Sequence, residues 1–256
     1  MASNRYWLVL PAAGVGKRLG SSTPKQYLRV AGHSLIEWAL RPFLEDRACE
    51  NAVVALATAD ANWAGVRSQL SRAVYEVPGG AERRDSVLAA LRHLKEIGVA
   101  DEEWVLVHDA ARPCVSRAEI TALCQAVWQV SPESHGSDRQ GPESQRIEGG
   151  ILALPLTDTV KRGALEHGQV ASRDTLSREG LWRALTPQMF RLGALREALE
   201  ATAREGRVPT DEAQAMEWQG AGALLVAGEA TNIKVTTQSD LTLIEGVLSH
   251  RAREPR

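Results

Sequence analysis

The residues best able to do chemistry begin near the N-terminus, in Pro11-Ala12-Ala13-Gly14-Val15-Gly16-Lys17-Arg18, followed by Pro24-Lys25-Gln26. Gly14 and Gly16 lack a Cβ, so the backbone can approach a ligand closely. Successive backbone amides form an anion-binding concavity. Lys17, Arg18 and Lys25 add positive charge to it. That combination points to a polyphosphate rather than to a plain surface turn. It is neither of the two common phosphate loops. The dinucleotide fingerprint needs Gly or Ala where Leu19 stands, and the P-loop needs Ser or Thr where Arg18 stands.

A second set follows the apolar run Trp104-Val105-Leu106-Val107-His108, which ends in Asp109-Ala110-Ala111-Arg112-Pro113. A carboxylate at the C-terminal end of a buried parallel strand lies where open α/β sheets bind ligands. Mg²⁺ takes hard oxygen ligands, commonly one or two carboxylates plus substrate phosphates, so Asp109 is the candidate metal ligand. A helix cap or an ion pair with Arg112 is the structural alternative for a single Asp. His108 reads as an orienting residue at the strand end, outside catalysis. Between the two sets lies Pro78-Gly79-Gly80-Ala81-Glu82-Arg83-Arg84-Asp85-Ser86, a glycine turn opening a helix whose free N–H groups could face a ligand.

Pro11-Ala12-Ala13-Gly14-x-Gly16-x-Arg18, Pro24-Lys25-Gln26-Tyr27 and His108-Asp109-Ala110-Ala111-Arg112-Pro113 together resemble a family of nucleotidyltransferases. It is the 2-C-methyl-D-erythritol 4-phosphate cytidylyltransferase family, and the likeness runs from about Tyr6 to Leu248. The resemblance implies attack of a sugar-alcohol phosphate on the α-phosphorus of CTP, with pyrophosphate leaving. It implies that Arg18 and Lys25 are catalytic, contacting the triphosphate and stabilising its transition state. Ala12, Ala13, Gly14, Gly16, Gly80, Arg83, Ser86 and Ala110 would bind CTP, with Arg83 and Ser86 on the cytosine and ribose side. Arg112, Thr159, Arg178, Thr186, Thr210, Asp211 and Lys234 would position the methylerythritol phosphate. Mg²⁺ is the implied cofactor, held by Asp109. The family often has Asp where this chain has Ala81, which leaves a backbone contact there.

The elements that must position these residues read as α/β. Tyr6–Leu10 is a buried strand. Ser34-Leu35-Ile36-Glu37 is a capping box opening a helix with Ile36, Leu40, Phe43 and Leu44 on one face. Strands over 51–57 and 73–77, with a helix over 62–70 between them, complete a β-α-β-α-β order. That order predicts a mostly parallel central sheet flanked by helices, a Rossmann-like nucleotidyltransferase fold on the resemblance. Ser116-Arg117-Ala118-Glu119 is another capping box, and Cys124 falls on its helix's apolar stripe.

Residues 131–148 begin with a long stretch lacking apolar residues. They are read as a flexible insertion loop, since family members are shorter there. Residues 156–179 read as a projecting β-arm with its turn over Gly163–Gly168. The resemblance implies that the arm embraces the second subunit of a homodimer and that Arg178 acts across it. Thr210 is read as an N-cap, Asn232–Thr236 as a strand presenting Lys234, and Ser239–Arg251 as a closing helix.

The 256 residues carry a net charge of -2, with 44% hydrophobic and 24% charged. They suit a single nucleotidyltransferase domain over 1–256. No global field favours nucleic acid or an anionic membrane. No apolar run approaches the roughly 18 residues that span a bilayer. Cys49, Cys114 and Cys124 lack metal spacing and read as reduced thiols of a cytoplasmic protein.

Overall fold

The computed structural model describes residues 4–14, 23–130 and 146–253. The chain runs β1 (Tyr6–Pro11), a short 3-10 turn (Lys25–Tyr27), β2 (Arg29–Val30), β3 (His33–Ser34), α1 (Leu35–Leu44), β4 (Cys49–Leu56), α2 (Trp63–Arg67), β5 (Tyr75–Pro78) and α3 (Arg83–Glu96). It continues with β6 (Trp104–Val107), α4 (Arg117–Val130), β7 (Arg146–Pro155), β8 (Val160–Glu166), β9 (Gln169–Leu176) and β10 (Trp182–Arg191). It closes with α5 (Leu192–Arg204), α6 (Glu212–Glu217), β11 (Ala221–Ala227) and α7 (Gln238–Arg251).

The seven-stranded sheet has the order β11-β7-β10-β6-β1-β4-β5. The strands β6-β1-β4-β5 are mutually parallel, and β11 is parallel to β7. Only β10 runs antiparallel, between β6 and β7. The mostly parallel sheet read from the sequence is therefore present. Its central strands β1 and β6 are continuous apolar runs because both faces are covered there. Along β1, Tyr6, Leu8 and Leu10 join the core under α1 and α4. Val9 faces the opposite core, with Leu91 of α3 and Leu195 of α5. Such two-sided cover holds the C-terminal ends of β1 and β6 rigidly side by side.

A third, smaller core seats the closing helix. Ile244 and Leu248 of α7 pack with Trp38, Leu35, Cys114 and Val235. Thr237 caps α7, its hydroxyl accepting from the Asp240 N–H. This core fixes the segment that carries Lys234.

Several expectations are corrected. Residues 232–236 form no strand; they are an irregular segment whose Val235 N–H donates to Ala111 O at 2.8 Å. Asp211, not Thr210, caps α6, its carboxylate accepting from the Gln214 N–H. The helix expected over 62–70 is only the five residues of α2. The hairpin turn is His167-Gly168, with φ of 51° and 80°, rather than Gly163–Gly168. Gly163 lies inside β8 at a register shift, where a Cβ would stand 2.7 Å from Val170 Cγ1. Arg146–Glu148 belong to β7, not to a loop, while 131–145 lie outside the described residues. A hairpin is present at this place: among the described residues, β8 and β9 pair only with each other. Leu165 and Val170 oppose each other on it and are 75% and 78% exposed.

Candidate active site

The cleft forms where β1, β6 and the start of α3 end together. It is lined by Pro11 to Gly14, Lys25 and Gln26, Gly80 to Arg83, Ser86, Asp109 to Ala111, and Lys234, around a volume of ≈ 190 Å³. Ten expected residues meet there: Ala12, Ala13, Gly14, Lys25, Gly80, Arg83, Ser86, Asp109, Ala110 and Lys234. Gly16 and Arg18 lie outside the described residues.

Each wall has a local cause. Gln26, buried at 4% exposure, donates from Nε2 to Ala12 O at 2.8 Å and Gly14 O at 3.1 Å. It thereby ties the start of the loop after β1 to the turn that carries Lys25. Lys25 donates to Val235 O at 3.2 Å, tying this wall to the Lys234 segment. Opposite, Gly79 packs so tightly that a Cβ would come within 2.4 Å of Ala13 Cβ. Ser86 Oγ accepts from the Gly80 N–H at 3.1 Å. The glycine turn is therefore required by close approach, and it brings the start of α3 against β1.

Asp109 is the electrical centre. Its Oδ1 accepts from Arg83 Nε at 2.9 Å, and its Oδ2 lies 2.9 Å from Lys234 Nζ and 3.5 Å from Arg112 Nε. Burial opposes its ionisation. Arg83, Lys234 and Arg112 outweigh that and hold the carboxyl well below the usual carboxylate range. Arg83 also makes a bidentate pair with Glu212, at 2.6 and 2.9 Å. Burial disfavours the Arg83 charge, yet Glu212 and Asp109 raise its pKa above the ordinary value.

Beneath the cleft lies a buried polar chain. His108, fully buried, meets Arg112 O through Nε2 at 3.0 Å and the Thr186 hydroxyl through Nδ1 at 2.9 Å. A carbonyl only accepts, so Nε2 carries the hydrogen and Nδ1 accepts from Thr186. The Thr186 oxygen in turn accepts from the Asp109 N–H at 3.1 Å. Asn232 donates to Thr186 O at 2.9 Å, and its own carbonyl accepts from Arg112 at 2.8 Å. Thus Thr186 and Arg112 lie behind Asp109 rather than on the cleft's lining. Thr159 and Arg178, at the base of the arm, and Thr210 and Asp211, at the start of α6, are also absent from that lining.

The metal expectation can be tested on donor chemistry. Among the described residues no three His, Cys, Asp or Glu side chains gather as a metal site. Asp109 supplies one hard carboxylate at the cleft, beside three cations. That suits an ion arriving with phosphates and completed by their oxygens, not one caged by protein alone.

Sequence reasoning missed Gln26, Gln188, Glu212 and Asn232. Gln26 had a signal, since it adjoins the basic loop. The others act on partners 23 to 129 positions away, and no spacing rule reaches that far.

His108 generates a pH prediction. Burial pushes its pKa down to about 4 from 6.5. The unfolded chain therefore binds the proton first, and folding stability falls as pH drops from about 6.5 toward 4. The loss should reach about 2 kcal/mol by pH 5. Urea unfolding at pH 7.5 and pH 5 should show it, and His108→Gln should flatten it. An unchanged slope in that variant would contradict the neutral, buried histidine.

Comparisons with known proteins bear on the family and the fold. The profile of the 2-C-methyl-D-erythritol 4-phosphate cytidylyltransferase family matches residues 6–250. A 2-C-methyl-D-erythritol 4-phosphate cytidylyltransferase of Pseudomonas aeruginosa is 43% identical over 245 residues, covering 96% of this chain and 97% of that protein. One from Halorhodospira halophila is 45% identical over 250 residues, covering 96% and 94%. Among solved structures, a 4-diphosphocytidyl-2C-methyl-D-erythritol synthase superposes with TM-score 0.76 at 31% identity, covering 95% of this chain and 99% of that one. The Francisella tularensis 2-C-methyl-D-erythritol 4-phosphate cytidylyltransferase gives TM-score 0.74 at 31% identity, covering 94% and 99%. On its sequence and on its fold, this chain belongs to the 2-C-methyl-D-erythritol 4-phosphate cytidylyltransferase family.

Proposed function

We propose that this chain transfers the cytidylyl group of CTP to 2-C-methyl-D-erythritol 4-phosphate, a step of isoprenoid precursor biosynthesis. The products are 4-diphosphocytidyl-2-C-methyl-D-erythritol and pyrophosphate. The observation that carries the reading is the cleft itself, where Pro11 to Gly14 and Lys25 share one lining with Arg83, Asp109 and Lys234 in a family member.

The chemistry asks little covalent work of the protein. A phosphate oxygen of the acceptor forms a bond to the α-phosphorus of CTP, and the bond to the bridging oxygen of pyrophosphate breaks. The nucleophile is already anionic, so no activated Ser or Cys is needed. The barrier lies in bringing two polyanions together and stabilising the charge that develops. Lys25 and Arg18 take the triphosphate in this reading. Arg83, Gly80 and Ser86 face the nucleoside and Lys234 the acceptor phosphate, with Arg112 behind Asp109 helping to hold its carboxylate. Asp109 holds Lys234 and Arg83 apart at fixed positions. Asp109 would also offer one oxygen to Mg²⁺, which supplies charge neutralisation between the phosphates when bound.

Thr159 and Arg178 are assigned to the acceptor site of the opposite subunit in a homodimer. The support is the self-paired arm with its exposed Leu165 and Val170. A cytoplasmic location is supported by three free, buried cysteines, which fit a reducing compartment. Among the described residues, no helix is long and apolar enough to cross a membrane.

The direct test is pyrophosphate release with Mg²⁺, methylerythritol 4-phosphate and each of the four nucleoside triphosphates in turn. Release with CTP alone is expected, and Lys25→Ala should lower it by about 10²–10³-fold while the protein stays folded. Release only with another nucleotide, or none at all, contradicts the reading. Sedimentation should give a dimer that Leu165→Asp with Val170→Asp converts to monomer; a wild-type monomer at micromolar concentration would refute the arm's role.

A further inference from the structure

Glu212 stands outside every role given above, yet it is 1% exposed and grips a residue of the cleft. It is the first residue of α6, a helix fixed from both sides. Asp211 caps that helix, and Gln188 of β10 donates to Asp211 Oδ2 at 2.9 Å while its Oε1 accepts from the Ala213 N–H at 2.9 Å. The Glu212 carboxylate therefore has one rigid placement. There it takes both Nη groups of Arg83. A guanidinium held by two parallel bonds keeps its plane and its direction. Its remaining Nε then reaches Asp109 Oδ1 and no other described partner.

We infer that Glu212 is the positioning residue for Arg83, orienting its guanidinium toward Asp109 and the nucleoside side of the cleft, and that it acts on catalysis only through Arg83. The inference rests on the transferase reading above. Electrostatics support it. Arg83, Arg112 and Lys234 crowd one carboxylate, and Glu212 offsets part of that excess without itself lining the cleft. Without Glu212, Arg83 can swing to chelate Asp109 with two nitrogens and compete with Lys234 for the same oxygens. Both substrates would then meet a rearranged set of cations.

The test is a double-mutant cycle on the full chain, read as kcat and KM for CTP with folding followed by thermal unfolding. Glu212→Gln keeps size but removes the charge and half of the bidentate pair. It should lower kcat/KM by about 10- to 100-fold, as displacement of a positioning group does. In an Arg83→Met background the same change should have no further effect, and the double variant should be more thermostable than Arg83→Met alone. Effects that multiply, or wild-type kinetics in Glu212→Gln, would overturn the inference. If Glu212→Gln does not fold, Glu212→Asp retains the charge on a shorter stem; a reduced kcat/KM is expected and wild-type values would overturn it. Wild-type protein releasing no pyrophosphate would instead contradict the transferase reading. The pair is then read by CTP calorimetry, where equal affinity of wild type and Glu212→Gln overturns the inference.

Discussion

One buried negative charge organises this molecule. Asp109 sits at the C-terminal end of β6, almost out of contact with water. A lone ionised carboxylate in that position is costly. It remains ionised because Arg83, Lys234 and Arg112 surround it. Those three cations come from three separate parts of the chain. Satisfying one buried charge therefore draws the start of α3, the loop after β6 and the segment before α7 to a single point. The constraint is mutual, since each cation is fixed by the carboxylate it neutralises. Breaking a buried pair by removing one member is expensive, by about 3–5 kcal/mol. The arrangement is thus held in place before any substrate arrives, which is what transition-state stabilisation by fixed charge requires.

The rest of the fold can be understood as support for that point. Packing on both faces of the sheet sets β1 beside β6, so the loop after β1 faces Asp109. The antiparallel β10 brings Thr186 under the Asp109 amide and Gln188 against α6. The small third core holds Val235, and so sets where Lys234 begins. Buried polar chains of this kind favour a single arrangement when every member is satisfied. In this chain His108, Thr186 and Asp109 satisfy one another in series.

The sequence made some of this plain and hid the rest. Strands β1 and β6 and residues 52–56 of β4 are uninterrupted apolar runs, and the Ser34 and Ser116 capping boxes mark two helix starts; local patterns of that sort survive folding. The basic loop and the Asp109 motif were visible because their residues are contiguous. Strand β10 was not, since Thr186-Pro187 interrupts its period with a residue lacking an N–H. The 232–236 segment looked extended and apolar in alternation, but its amides pair with loop carbonyls rather than with a strand. Gly163 looked like a turn residue when its role is to let Val170 approach. The Arg83–Glu212 pair spans 129 positions, and long-range ion pairs leave no local mark.

The central claim is that the Asp109 charge, rather than its shape, holds the cleft ready. Asp109→Asn preserves the shape and removes the charge. Turnover of this variant with CTP and methylerythritol 4-phosphate, measured beside its thermal unfolding, tests the claim most directly. The account predicts a loss of at least about 100-fold in kcat in protein that remains folded. Near-wild-type turnover would show that the three cations keep their places without the carboxylate, and would contradict the account.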